Sequence, residues 1–127
     1  MPVSYKIDKQ HKLVISTAFG VVTMADALAH QAQLLADADF DPRFSQLMDL
    51  THVTKLEAGP GDIRRLAQET IFSADSRRAI LVSSNWVYGL ARMFEIFRAT
   101  VGEKGIRVFR NLDEALDWVL AKKSAAG

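Results

Sequence analysis

Apolar and polar residues alternate from the start of the chain. Val3, Tyr5 and Ile7 interleave with Ser4, Lys6 and Asp8, the period-two pattern of a half-buried strand. After the polar stretch from Asp8 to Lys12, Leu13, Ile15, Thr17 and Phe19 continue a period-two face. The two runs together predict an antiparallel hairpin, with Gly20 placed to end or bend its second strand.

Helical spacing then takes over. Thr23 has the chemistry of an N-cap, and Asp26 falls near the positive end of the helix dipole. Met24, Leu28 and Leu35, filled in by Ala27, Ala32 and Ala38, give this helix one apolar face. Asp37, Asp39, Asp41 and Pro42 close it in a solvated turn, since a metal site there would need further convergent ligands. Short apolar runs follow at Leu47, Met48 and Leu50, at Ala79 to Val82, and at Ile106, Val108 and Phe109. Such compact runs suit strands covered on both faces. Ile63, Leu66, Ala67, Thr70 and Ile71 recur at helical spacing, with Asp62 as the predicted cap. Leu112, Ala115, Leu116, Val119 and Leu120 repeat that spacing behind a cap at Asn111. Asp113 and Glu114 fall in the first turn of this last helix, Lys122 and Lys123 in its last.

The resulting order, ββαβαβαβα, predicts an α/β fold with a mixed five-stranded sheet and four helices. The sheet is largely parallel with right-handed crossovers, plus the N-terminal antiparallel hairpin. Residues 1–123 read as a single domain and residues 124–127 as a fraying tail.

Composition narrows the function classes. The 127 residues contain no cysteine, which removes disulfides, thiolate metal sites and a cysteine nucleophile. A reducing, cytoplasmic setting is the default expectation. No apolar run approaches the ~18 residues of a membrane-crossing helix, and the opening MPVSYKIDKQHK lacks a signal-peptide core. The net charge of +1 gives no support to nucleic-acid binding. Residues 1–63 nevertheless carry five basic and eight acidic side chains, against eleven and seven in residues 64–127. That asymmetry could orient self-association or attract an acidic partner, or mark only a solvated surface.

The stretch DLTHVTKLEAGPGDIRRL, Asp49 to Leu66, joins a strand-like opening to an amphipathic helix through Gly59-Pro60-Gly61. It resembles the STAS fold, the family of the sporulation anti-anti-sigma factor. Asp49-Leu50-Thr51, Val53-Thr54 and Glu57-Ala58-Gly59 fall where that family has its strand motif, its valine-threonine step and its phosphorylatable serine. Ala58 and Gly59 have no hydroxyl, so the resemblance implies a switch corner that cannot accept a phosphoryl group. FGVVTMADALAHQ, FDPRFSQLMDL, VYGLARMFE and VFRNLDEALDWV extend the likeness over nearly the whole chain, to the SpoIIAA-like small bacterial proteins related to STAS and Sec14-type domains. This implies a fold, not a chemistry.

Open α/β sheets bind ligands at the carboxyl ends of their parallel strands. Here that places Thr51, His52, Ser83, Ser84, Asn85 and Arg110 in one region, as candidates for a ligand pocket. The turn at Ser83 to Trp86 could hold an anion on backbone N–H groups, assisted by Arg110. A hydrolase would use Ser83 or Ser84 as nucleophile, His52 as base and Asp49 or Glu57 to orient it. No G-x-S-x-G elbow surrounds either serine, and Ser84 and Asn85 are good helix caps. His11, His30 and His52 are dispersed, so no metal site is expected, and an exposed pair with Asp26 accounts for His30. No P-loop or dinucleotide glycine fingerprint is present, and no cofactor is expected.

The third helix has a wide apolar arc. Trp86, Val87, Leu90, Ala91, Phe94, Phe97 and Val101 form a core stripe, flanked by Gly89, Met93, Ile96 and Thr100. Trp118 similarly lies off the main stripe of the last helix. Gly89, Met93, Ile96 and Trp118 are therefore either deeper core beneath Phe40 and Phe44, or an interface for a partner or a second copy of the chain. The leading expectation is a non-enzymatic interaction or regulatory domain. The alternative is a domain that binds a small apolar ligand or a lipid surface.

Overall fold

A computed structural model of the chain describes residues 2–68, 70–100 and 105–121. Its elements are β1 (Val3–Asp8), β2 (Leu13–Thr23), α1 (Met24–Leu35), β3 (Ser45–Glu57), α2 (Pro60–Gln68), β4 (Arg78–Leu81), α3 (Asn85–Thr100), β5 (Ile106–Phe109) and α4 (Leu112–Leu120). The strands form one sheet in sequence order, β1-β2-β3-β4-β5. β1 runs antiparallel to β2, and every other neighbouring pair is parallel. This is the expected ββαβαβαβα layout. Val101, the Thr100 side chain, Lys122, Lys123 and the tail lie outside the described residues.

The alternation of side chains along each strand divides the core into two layers. Ala18, Val22, Val53, Ile80 and Ile106 pack with Val87 and Ala91 of α3. Val14, on the same side of β2 as Ala18, packs with Leu34 of α1 and with Phe72. The opposite face carries Leu13, Leu47, Ala79 and Leu81 against Ala115 and Val119 of α4. Hence α1 and α3 cover one face, with Ile63 and Leu66 of α2 on the same side, and among the described residues α4 covers part of the other.

Several inward positions differ from the pattern expected from sequence. The most deeply buried face of β2 is Val14, Ser16 and Ala18, all at most 1% exposed, whereas Phe19 is 48% exposed. In α1 the buried residues are His30 and Leu34, and Leu35 faces solvent. Leu112 and Leu120 of α4 and Trp86 of α3 are likewise exposed, while their neighbours Val87 and Val119 are buried. Asp62 is not the cap of α2. Pro60 occupies the start of that helix, and Asp62 reaches back to accept the Gly59 N–H at 3.1 Å. Thr70 and Ile71 fall after α2 has ended.

β3 is 13 residues long, well past the Leu50 at which its apolar run stops. Two register shifts against β2 explain the difference: Thr17 pairs Asp49 but Phe19 pairs His52, and Gly20 pairs Val53 but Val21 pairs Lys55. Each shift inserts one extra β3 residue, a bulge. Leu50, Val53 and Leu56 therefore reach the same core cluster at intervals of three. Gly20 sits between the shifts with φ of 72°, a left-handed conformation open to glycine.

Candidate functional site

Of the residues expected at the carboxyl edge, Thr51, Ser83, Ser84, Asn85 and Arg110 make hydrogen bonds within the fold. Ser83 donates its hydroxyl to the Thr51 carbonyl at 2.9 Å. Ser84 Oγ accepts the Val87 N–H at 3.1 Å at the start of α3. Arg110 donates to Asn85 Oδ1 at 2.9 Å, and its guanidinium lies 4.4 Å from the Tyr88 ring centre. Asp49 Oδ1 accepts both the N–H and the hydroxyl of Thr51, at 2.9 and 2.6 Å. His52 is exposed on β3, opposite Phe19. No hydrogen bond joins Ser83 or Ser84 to His52 among the described residues, so the serine–histidine–carboxylate arrangement is not assembled. Ala58 and Gly59 form the bend between β3 and α2, with the Gly59 carbonyl accepting the Ile63 N–H at 3.1 Å.

The α3 row is split in its exposure. Gly89 and Ile96 face solvent, Ile96 at 52%, and Met93 is half-buried. The Phe40–Phe44 loop does not cover them; Phe40 stacks edge-on against Phe72 at 5.4 Å and joins the α1 core. Trp118 is half-buried, 5.7 Å from the Phe109 ring, with the Arg77 and Arg107 guanidinium groups 5.3 and 5.6 Å from its ring centre.

A cavity lies elsewhere, beneath α1, α2 and α3. It has a volume of about 150 Å³ and is lined mainly by apolar side chains, including Ala18, Met48, Leu56, Ile63, Leu66, Ile80, Leu90, Ala91 and Phe94. None of the six carboxyl-edge residues lines it. Ile63 and Leu66 of α2 and Leu90 and Phe94 of α3 line it, with Met48 and Ile80 of the sheet. The space then opens between helices and sheet, not at the strand ends.

One wall of this cavity is polar. His30, Gln46 and Arg78 line it, and each is at least nine-tenths buried. Arg78 Nε donates to Gln46 Oε1 at 3.4 Å, and Gln46 Nε2 donates to Ser16 Oγ at 3.1 Å. Ser16 Oγ and His30 Nε2 are 2.9 Å apart. Arg78 also donates to Thr70 Oγ1 at 3.0 Å, and its guanidinium sits between Phe72 and Phe94, 4.7 and 5.3 Å from their ring centres. Burial, and then the nearby Arg78 charge, lower the His30 pKa to about 4, so the ring is neutral at physiological pH. The expected exposed pair with Asp26 does not form. Asp26 instead completes a capping box with Thr23, accepting its N–H at 2.9 Å.

Sequence reasoning missed this cluster, although a signal was present. Ser16 lies between Val14 and Ala18, Gln46 precedes Met48 and Leu50, and Arg78 precedes Ile80 and Val82, each at an interval of two. Three polar residues thus stand on the inward-facing phase of three adjacent strands.

No protein-family model and no curated protein matches the chain. Solved structures do. An uncharacterized protein from the DUF3478 family with a SpoIIAA-like fold, from Shewanella loihica, aligns over 92% of this chain and 93% of its own, with 18% identity and a TM-score of 0.60. An anti-sigma factor antagonist from Mycobacterium paratuberculosis aligns over the same shares, with 17% identity and a TM-score of 0.57. The fold is SpoIIAA-like. Within it, α2 follows the bend at Ala58 and Gly59, and Ile63 and Leu66 of that helix line the cavity. No described helix is long and apolar enough to cross a membrane. Among the described residues, no group of three or more His, Asp or Glu side chains is placed to hold a metal ion.

Proposed function

We propose that this chain is a non-enzymatic regulatory domain that binds a small apolar ligand beneath α1, α2 and α3. The observation that carries this reading is the cavity of about 150 Å³. Native cores contain few voids larger than a water molecule. Side chains that line such a space lack partner atoms on one side, so a ligand that fills it supplies those contacts. The volume also limits the ligand. It matches dry cavities that hold a molecule about as large as benzene, and it lies below the ~300 Å³ at which drug-sized pockets begin.

Benzene is the direct probe. Titration followed by backbone amide shifts should give saturable changes at Ala18, Met48, Leu66 and Phe94. An Ala91→Leu variant, which places extra methyl groups in the cavity, should stay folded and lose the response. Absence of saturable shifts in the wild type would overturn the reading.

A second reading, binding of a protein partner or a second copy, is favoured by Trp86 and Ile96, which are 64% and 52% exposed. The solved anti-sigma factor antagonist of the same fold is consistent with it. Sedimentation of the wild type and of a Met93→Glu, Ile96→Glu variant tests the self-association form. A wild type that stays monomeric at high concentration removes it.

A further inference from the structure

The polar wall of the cavity has a direction, and this specifies the ligand more closely. Arginine can only donate, so the contact from Arg78 Nε requires the oxygen of the Gln46 amide to face it. The Gln46 NH₂ group then faces Ser16, donating to Oγ at 3.1 Å. Ser16 is fully buried, and its hydroxyl proton must go to the remaining neighbour, His30 Nε2 at 2.9 Å. The opposite arrangement would leave both the serine proton and a ring nitrogen without partners. His30 Nε2 is therefore the acceptor, and the ring proton sits on Nδ1.

That proton has no acceptor among the described residues, although His30 is only 6% exposed and lines the cavity. The series Arg78, Gln46, Ser16, His30 thus passes donation one way and ends in a buried N–H that no described residue accepts. Building on the proposed ligand-binding role, we propose that the ligand is a compact apolar molecule carrying an acceptor oxygen, held by a hydrogen bond from His30 Nδ1–H. Ketones, esters, amides and carboxylic acids share that chemistry; hydrocarbons and amines do not. Each hydrogen bond in the series polarises the next, which strengthens the terminal donor. The lowered His30 pKa agrees, because the neutral ring is the form with one donor and one acceptor nitrogen.

Two measurements on the full chain test this. Long-range nitrogen–proton spectra of the ligand-free protein at neutral pH should show His30 as the Nδ1–H tautomer; the Nε2–H tautomer would overturn the proposal. Cyclohexanone and methylcyclohexane, which have the same number of heavy atoms, should then be titrated into the wild type and into His30→Leu. The substitution should weaken cyclohexanone about tenfold relative to methylcyclohexane, the worth of one buried hydrogen bond. An unchanged ratio would overturn the acceptor requirement while leaving the cavity as a ligand site. If neither probe binds the wild type, the ligand-binding reading fails and this one with it. If His30→Leu does not fold, the tautomer alone decides.

Discussion

His30 is a histidine held neutral inside the fold, and its effect on stability has a definite sign. The ring faces Tyr5 of β1 edge-on at 5.8 Å, Ser16 of β2 and the charge of Arg78 from β4. In the unfolded chain it takes a proton near pH 6.5, in the folded chain only near pH 4. Between those values the unfolded state binds more protons, so stability is fully present above about 6.5 and falls as pH drops towards 4. Urea unfolding at pH 7.5 and 4.5 should show a loss of about 2–3 kcal/mol from this group. A His30→Gln variant should lose much less over the same interval. Gly105 supplies a second prediction. A Cβ at that position would lie 2.3 Å from the Ser76 carbonyl oxygen, a backbone atom with no flexible end to move aside. Gly105→Ala should therefore destabilise the fold by about 1–3 kcal/mol, measured by chemical denaturation. At this scale the sequence was legible where a residue's role is local, as at the caps Thr23 and Asn111, which accept the Asp26 and Glu114 N–H groups at 3.1 and 3.0 Å. It was not legible at Ser16, Gln46 and Arg78, where the partner of each lies on another strand.

The hairpin, α1 and α4 follow from spacing and caps, with Thr23 and Asn111 at the helix starts, whereas α2 ends before Thr70 and is not capped by Asp62. Thr23→Ala removes one side of the capping box of α1 and should cost about 1 kcal/mol, visible as a lower unfolding midpoint. The second half of β3 was hidden for a physical reason. Its two bulges break the period-two rule, so Leu50, Val53 and Leu56 look aperiodic while sharing one core cluster. In α1, Ala27, His30 and Gln31 line the cavity and Leu34 is buried, an inward stripe that includes polar residues. A search for apolar side chains alone selects Leu35, which is 61% exposed. The α3 row shows the same limit. Gly89 and Ile96 satisfy an apolar spacing, yet Ile96 is 52% exposed within this chain. Ile96→Glu should therefore change the stability of the monomer by no more than about 0.5 kcal/mol.

At the scale of the whole molecule, the sheet is covered unequally, by three helices on one face and α4 on the other. Side chains of α1, α2 and α3 line the space above Ala18, Met48 and Ile80 without filling it. Strand-end logic selects Thr51, Ser83 and Arg110, a region separate from this space, because the fold class is legible in the sequence and the shape of the interior is not. Packing defects depend on side-chain volumes from five or more elements at once, which no local pattern records. The central claim is that this interior space is a ligand site with one polar contact. Its most direct test is a titration of isotopically labelled wild-type protein with cyclohexanone, following amide shifts and the His30 ring proton together. The account predicts saturable shifts confined to the cavity-lining residues and a downfield displacement of the Nδ1 proton. Shifts gathered instead at Ser83, Asn85 and Arg110, or no saturable response, would contradict it.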